Sequence, residues 1–310
     1  MADRIGEPAL ADGALPLPVA EAGVEKMPAS RRGRRAGLLR QRNFLIGVIL
    51  LAMVVIPVLL APVISSVGPD TQNAGASFLG PSATHLARLM GTDQYGRSVW
   101  ARVLYGGRYS IGASVAVVVL GGIVGTALGL VAGYLGGPVS FLIMRVVDLL
   151  LAFPGILLAL AVTAILGPSL VNAVIAVAVV AVPLYARIVE GAAREIRNLP
   201  YVRASRALGA GPRHIIARHV LPGAMPAVIV QTTVWLGIAV LWIAALGFLG
   251  LGVQPPTPEW GQMVSDGQAS LSIAWWVAVF PGAFLAVFVV GISLVGDALR
   301  DRLNPAAVGA

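Results

Sequence analysis

The sequence predicts an all-α integral membrane protein of six transmembrane helices with both termini cytoplasmic, and three observations carry that prediction. Of 310 residues, 57% are hydrophobic and 12% charged, whereas soluble chains carry about 25% charge. The mean hydropathy is +0.86. Six apolar stretches reach the ~20 residues needed to cross a hydrocarbon core. The arginines crowd one set of connections, as the positive-inside rule requires. Gly (37) and Pro (21) are abundant, as they are in membrane helices. The chain has no cysteine, which excludes disulfides, zinc thiolates and cysteine nucleophiles. The net charge of +8 marks topology and not nucleic-acid binding, because most basic residues flank apolar spans.

Taken in order, residues 1–43 form a cytoplasmic tail, of which 1–30 lack apolar periodicity and read as disordered. The first span, 44–67, is too long for a secretory h-region and lacks a clean cleavage site, so it reads as a retained anchor. An extracytoplasmic segment, 68–108, follows. The remaining core, 109–297, holds five spans: 109–131, 139–166, 169–188, 223–249 and 275–295. Between them lie a cytoplasmic loop, 190–222, and an extracytoplasmic loop, 251–274. Residues 298–310 form a second cytoplasmic tail. Of 22 basic residues, only Arg88, Arg97, Arg102 and Arg108 fall outside. An even number of crossings and the charge bias agree.

Within the spans, Gly121, Gly125, Gly129 and Gly133 recur every fourth residue. This spacing lines one helix face with missing side chains and suits close helix packing, or else a ligand groove. Pro154, Pro183 and Pro281 are expected to kink or open their helices. Asp148 lies three residues after Arg145, on the same helix face, which predicts a structural ion pair near the cytoplasmic end of the third span. Asn172, Gln231, Thr232 and Trp235 are candidates for a transport pathway, with hydrogen bonding between helices as the alternative. Trp260, Trp275 and Trp276 read as interfacial anchors.

Several chemistries are absent. The only lysine, Lys26, precedes Met27, so no phosphate-binding loop of the Gly-x-x-x-x-Gly-Lys-Ser/Thr type exists. His85, His214 and His219 all lie outside the spans, which argues against an intramembrane metalloenzyme or Ser–His protease. No catalytic residue, metal site or cofactor site is expected in this chain.

The cytoplasmic loop is too long and too patterned for a passive connection. Pro200 can occupy the first turn of a short helix and Gly209 its left-handed stop. Gly211-Pro212 opens a second helix, which Leu221-Pro222 is expected to end as the chain returns to the membrane. Tyr201, Val202, Ala204, Ala207 and Leu208 are the apolar residues available for docking.

Residues 203–222 resemble the cytoplasmic loop of ATP-binding-cassette importer permeases, whose pattern is Glu-Ala-Ala, three residues, Gly, nine residues, Ile-x-Leu-Pro. Here Arg203-Ala204-Ser205, Gly209, Leu221 and Pro222 take those places; Arg203 replaces the Glu, Ser205 the second Ala and His219 the Ile. The run 91–97, Gly-Thr-Asp-Gln-Tyr-Gly-Arg, with Arg102, Gly106, Arg108 and Ser110, is similar to the segment before the second span in the C-type subunit of dipeptide, oligopeptide and nickel permeases. The run 247–261, Gly-Phe-Leu-Gly-Leu-Gly-Val-Gln-Pro-Pro-Thr-Pro-Glu-Trp-Gly, resembles the same family's last outer loop.

The resemblance implies a type I importer permease fold in a bacterial plasma (inner) membrane. It implies a second, homologous permease subunit forming a heterodimer, two ATPase subunits carrying ATP and Mg, and an extracytoplasmic binding protein. Pro200, Tyr201, Val202, Arg203, Ala204, Ser205, Arg206, Ala207, Leu208, Gly209 and Ala210, with Leu221 and Pro222, would couple to an ATPase. Asp93, Arg97, Arg102, Arg108, Glu259 and Trp260 would receive the binding protein. The expected cargo is a di- or oligopeptide, with nickel as the alternative within the family. An ion-coupled secondary transporter is the outside alternative; it should show inverted repeats and midplane carboxylates, and only Asp148 stands within a span. A lipid-binding basic loop would not need the Gly209-to-Pro222 spacing.

Overall fold

A computed structural model describes residues 42–303, and helices account for most of that range. The expectations for 1–41 and 304–310, including the disordered tail and both chain termini, lie outside the described residues. The chain opens with α1 (Arg42–Leu59) and a short α2 (Ala61–Ile64). The outer segment, carrying two single 3-10 turns, leads to α3 (Val99–Leu135). Then come α4 (Gly137–Leu151), α5 (Gly155–Leu166) and α6 (Leu170–Ile196). The loop helices α7 (Pro200–Ala207) and α8 (Pro212–Ile215) precede α9 (Leu221–Phe248), α10 (Trp260–Gln268) and α11 (Trp276–Leu303).

The glycine stripe of α3 builds the centre of the fold. A Cβ at Gly121 would stand 2.7 Å from Ala181 Cβ, and one at Gly125 2.5 Å from Tyr185 Cβ. At Gly129 it would meet Ala186 O at 2.6 Å, and at Gly133 Ala193 Cβ at 2.6 Å. The stripe is therefore packing against α6 and not a ligand groove. Because the partner numbers rise with the glycine numbers, α3 and α6 run parallel. A chain leaving the bottom of α3 must then return to the top of α6. Only α4 and α5 lie between, so this pair, bent by 91° at 152–154, makes one return crossing. Together with five unbroken long apolar helices, it gives six crossings.

The remaining contacts fix direction. A Cβ at Gly223 would touch Ile196, and Tyr185 Oη donates to Thr232 Oγ1 at 3.1 Å, so α9 runs antiparallel to α6. Gly237 faces Ile292 while Gly296 faces Thr233, so α11 is antiparallel to α9; Gly47 packs on Gly291 and Leu294, which reverses α1 again. Arg42, Leu303 and the 197–220 loop thus share one end of the bundle, here termed inner for its arginines.

Hydropathy marks the spans but not the helix ends. The second span extends at both ends into the 37-residue α3 and the fourth continues to Ile196, while the first stops at Leu59. Of the three prolines, only Pro154 interrupts a helix, as N-cap of α5. Pro183 and Pro281 sit inside α6 and α11, both buried, where neighbouring helices hold the chain straight enough to continue.

Overpacking a tight helix contact costs about 1–3 kcal/mol. Gly129→Val is therefore expected to lower the melting temperature of the purified protein. Gly112→Ala, on the same helix with open space at its Cβ, should leave it nearly unchanged. Tryptophan fluorescence melts in detergent would measure both.

Candidate functional site

At the inner end, α7 is a short platform held by its own sequence. Pro200 occupies the first turn, where its missing N–H is not needed. At the other end Gly209, at φ +90°, accepts the left-handed turn that an L side chain resists by roughly 1–2 kcal/mol. Gly209 N donates to Arg206 O at 3.0 Å and Ala210 N to Ser205 O at 3.2 Å, which makes a Schellman stop.

The platform is anchored by Val202, fully buried among Ile196, Ile215, Val220 and Ala224 and the lower ends of α3 and α6. Val202 is therefore an internal wedge and not a docking residue as expected from the sequence, because the amphipathic helix has only one face free. Tyr201 and Leu208 are exposed, Leu208 at 88%, with Ala204 and Ala207 beside them. Arg206 stacks 5.4 Å over the Tyr134 ring, and Arg203 Nε donates to Asn198 O at 2.9 Å. Arg197 donates to Gly133 O and Tyr134 O at 3.0 and 3.2 Å, capping carbonyls that α3 leaves unpaired.

The second loop helix does not end at Leu221-Pro222. A π-turn, Ile216–Val220, carries α8 into α9, and the helix from Pro212 to Phe248 is continuous. Pro222 falls in the first turn of α9, where it follows a wide turn that needs no N–H from it. The loop is thus an extension of the fifth crossing.

At the outer end, most residues singled out for binding-protein docking are buried: Asp93, Arg97, Arg102, Glu259 and Trp260 all have at most 6% exposure. They form an internal latch. Asp93 Oδ1 accepts from the backbone N–H of Tyr95 and Arg97, both at 2.9 Å, and Oδ2 from Arg97 Nε at 2.6 Å. Arg102 reaches Asp70 Oδ1 at 3.0 Å, Pro69 O at 3.2 Å and Pro256 O at 3.1 Å, tying three segments together. Glu259 caps α10 by accepting from Gln262 N at 3.0 Å, and takes Ser110 Oγ at 2.6 Å. Trp260 Nε1 donates to Val103 O and Trp276 Nε1 to Thr92 O, so these two indoles are core. Trp275 remains half-exposed. Of the proposed docking set only Arg108 is exposed. A sequence shows charge but not burial, and Asp70, far away in the chain, was the partner it concealed.

The other expectations fare unevenly. Asp148 pairs with Arg187 of α6 and not with Arg145, because α4 packs against α6 and brings an arginine across to it. Asn172 donates to Leu166 O and Gly167 O, both at 2.9 Å, joining α5 to α6. Trp235 is buried against Trp242, and Thr232 bridges Tyr185 and Val228 O. All three make contacts within the bundle, Trp235 buried and Asn172 and Thr232 half-buried. Gln231 stays half-buried on α9. Among the described residues no group of three or more His, Asp or Glu could hold a metal.

Six crossings with a short helical platform at the inner end and a latched outer cap define a multi-pass membrane protein. Residues 125–308 match the family model described as the binding-protein-dependent transport system inner membrane component. The chain belongs to that family and is a multi-pass permease subunit of an ATP-binding-cassette importer, a transport subunit whose ATP hydrolysis falls to partner ATPases. The dipeptide transport system permease protein DppC of Alkalihalophilus pseudofirmus is 41% identical over 86% of this chain and 87% of its own. The probable D,D-dipeptide transport system permease protein DdpC of Escherichia coli is 40% identical over 84% and 87%. The glutathione transport system permease protein GsiD of Pectobacterium atrosepticum is 42% identical over 73% and 74%. In fold, the chain resembles an inward-facing structure of the MetNI methionine ABC transporter, with TM-score 0.53 and 23% identity over 65% of this chain and 96% of that one.

Burial pushes the Glu259 carboxyl above the usual carboxylate range, while Ser110 and backbone N–H groups oppose the shift. A carboxyl raised in the folded state stabilises fully below its unfolded pKa, and that contribution is lost as pH rises through the folded value. The wild type is expected to lose stability across that interval, whereas Glu259→Gln, which cannot ionise, should show no such limb in melts taken against pH. Glu259→Ala strands Ser110 and Gln262 N–H, at about 1–3 kcal/mol each, and should melt lower than the Gln variant at every pH.

Proposed function

We propose that this chain is a membrane subunit importing di- or oligopeptides across a bacterial plasma membrane, with its inner platform seated in an ATPase. The observation that carries the reading is the α7 platform: a short helix with Tyr201 and Leu208 free on one side and Val202 wedged into the bundle on the other. The continuous helix from Pro212 to Phe248 gives a stiff path from that platform into the membrane. ATP-driven closure of two ATPases would displace α7, and the displacement would pass to α9 and α6 without loss in a flexible joint. ATP and Mg belong to those ATPases.

The peptide cargo is supported by relatives whose names specify dipeptide, D,D-dipeptide or glutathione transport; none of those three names specifies nickel. A second, similar permease completes the pathway as a heterodimer, and an extracytoplasmic binding protein delivers the cargo from the outer side. With Arg97 and Arg102 committed to Asp93 and Asp70, the surface offered to that protein is carried by Arg108 and the exposed outer-segment residues, not by the buried motif. Because those two outer arginines are neutralised internally, the surplus of free positive charge at the inner end supports a cytoplasmic assignment for that end.

Gly209→Asp is the discriminating variant. The space around Gly209 is open within this chain, and Asp tolerates a left-handed backbone better than most residues, so the subunit should fold. A carboxylate at the docking turn should cut ATP-coupled dipeptide uptake by about tenfold or more, equivalent to ~1.4 kcal/mol of lost docking. Uptake assays in proteoliposomes of the assembled complex, with assembly checked by co-purification of the ATPases, would measure this. Normal uptake by the assembled variant would refute the docking role.

A further inference from the structure

A polar groove of about 510 Å³ opens between α4 and α6 at the inner end of the bundle, and neither the platform nor the outer latch uses it. Four arginines line it, Arg145, Arg187, Arg194 and Arg197, with two carboxylates, Asp148 and Glu190. Both carboxylates are taken: Asp148 pairs with Arg187 and Glu190 with Arg194. Arg197 gives Nη1 to two carbonyls of α3, which leaves its charge in place. Arg145 meets no carboxylate among the described residues. The groove therefore carries positive charge that the chain itself does not neutralise.

Beside it, a trough of about 350 Å³ runs along α4 and shares Arg145 and Asp148 with the groove. Its other walls are Leu142, Val146 and Leu149, which are 67%, 53% and 63% exposed. These three and Arg145 recur at the three- and four-residue spacing of one helix face. Arg145 is thus a cation set in an apolar stripe, where the polar groove and the apolar trough meet. The level of that junction is read from α6, because α4 turns by 91° from α5. Asp148 is tied to Arg187, and the apolar stretch of α6 ends at Ile188, before Glu190, Arg194 and Arg197. Apolar surface therefore gives way to charge at this junction. An anion with hydrocarbon chains matches both halves, its phosphate toward Arg145 and Arg197 and a chain along the trough. Basic pockets between membrane helices on the cytoplasmic side take acidic headgroups in this way. A soluble phosphate would leave the trough bare, and a zwitterionic headgroup would bring a further cation to the arginines.

We propose that the α4–α6 groove and the α4 trough together hold one anionic phospholipid, with Arg145 as the residue that selects its charge.

The probe is phosphatidylglycerol, titrated into the delipidated, assembled complex and followed by native mass spectrometry. One phosphatidylglycerol per copy of this chain should stay bound under conditions that strip phosphatidylcholine. Arg145→Gln removes a charge that pairs with no carboxylate among the described residues, so the subunit should fold. It should hold that lipid about fivefold more weakly, the weight of one arginine beside acidic lipid. Arg213→Gln, which removes an exposed arginine of α8 outside the groove, should leave the binding unchanged. Equal retention of phosphatidylcholine by the wild type would overturn the proposal, as would unchanged phosphatidylglycerol binding by Arg145→Gln. Glycerol phosphate binding as tightly as the lipid would make the groove a soluble-anion site and overturn it too. Loss of the second permease or the ATPases from the Arg145→Gln complex would mean that a protein partner covers this face, which also overturns it. No transport is measured, so the outcome is independent of the peptide reading.

Discussion

The parallel contact between α3 and α6 is the constraint on which the rest of the molecule depends. In a bilayer, helix association draws little from the hydrophobic effect, because lipid chains are as apolar as the side chains they would replace. Association must come from close approach, and four glycines on α3 let its backbone lie directly on Ala181, Tyr185, Ala186 and Ala193. A parallel pair of consecutive long helices cannot be joined by a short turn. The sharply bent α4–α5 crossing follows from it, and the antiparallel contacts of α9, α11 and α1 then bring Arg42, the 197–220 loop and Leu303 to one end. The return crossing between α3 and α6 therefore descends from one stripe of missing side chains.

Helix α3 carries fastenings at both ends of the molecule. Outside, Ser98 caps α3, Ser110 meets Glu259, and Val103 O holds the Trp260 indole. Inside, Arg197 at the end of α6 bonds the last carbonyls of α3, and Tyr134 of α3 receives Arg206 of the platform. A membrane helix held only by apolar packing could slide or twist. Polar groups fixed at each end, in places where water is scarce, make either motion expose unpaired donors. The bundle is thus stiff along the direction in which the proposed coupling must act.

The spans and the inner platform were legible in the sequence, because the bilayer imposes an apolar length and because proline and glycine have few roles at helix ends. Pro200 and Gly209 bracket α7 as their chemistry dictates. What depends on packing was not legible. Asp148 and Arg145 have ideal local spacing, yet Arg187 arrives from another helix and takes the carboxylate. Arg97 and Arg102 look like surface charges until Asp93 and Asp70 are brought to them, the second over a long stretch of chain. Pro154 and Pro183 are equivalent as letters; the first begins a new helix and the second lies packed in the interior of α6. In each case the missing information is which distant backbone comes close, and only the glycine stripe announced any of it.

On the proposed reading, α6 joins the platform to the α4 contact physically. Its last turn, at Ile196 and Arg197, touches the platform wedge and the end of α3. The face that the same helix shares with α4 presents Arg187, Glu190 and Arg194. Because α6 is one helix from Leu170 to Ile196, a displacement that the platform passes to Ile196 would move that face as well. Asp148 stands on α4, which follows a separate turn after α3. Relative motion of α4 and α6 would therefore act first on the Asp148–Arg187 pair, the one ion pair among the described residues that joins these two helices. In the proposed coupling no separate relay would be needed along α6, because the helix that meets the platform wedge also carries the arginine paired with Asp148.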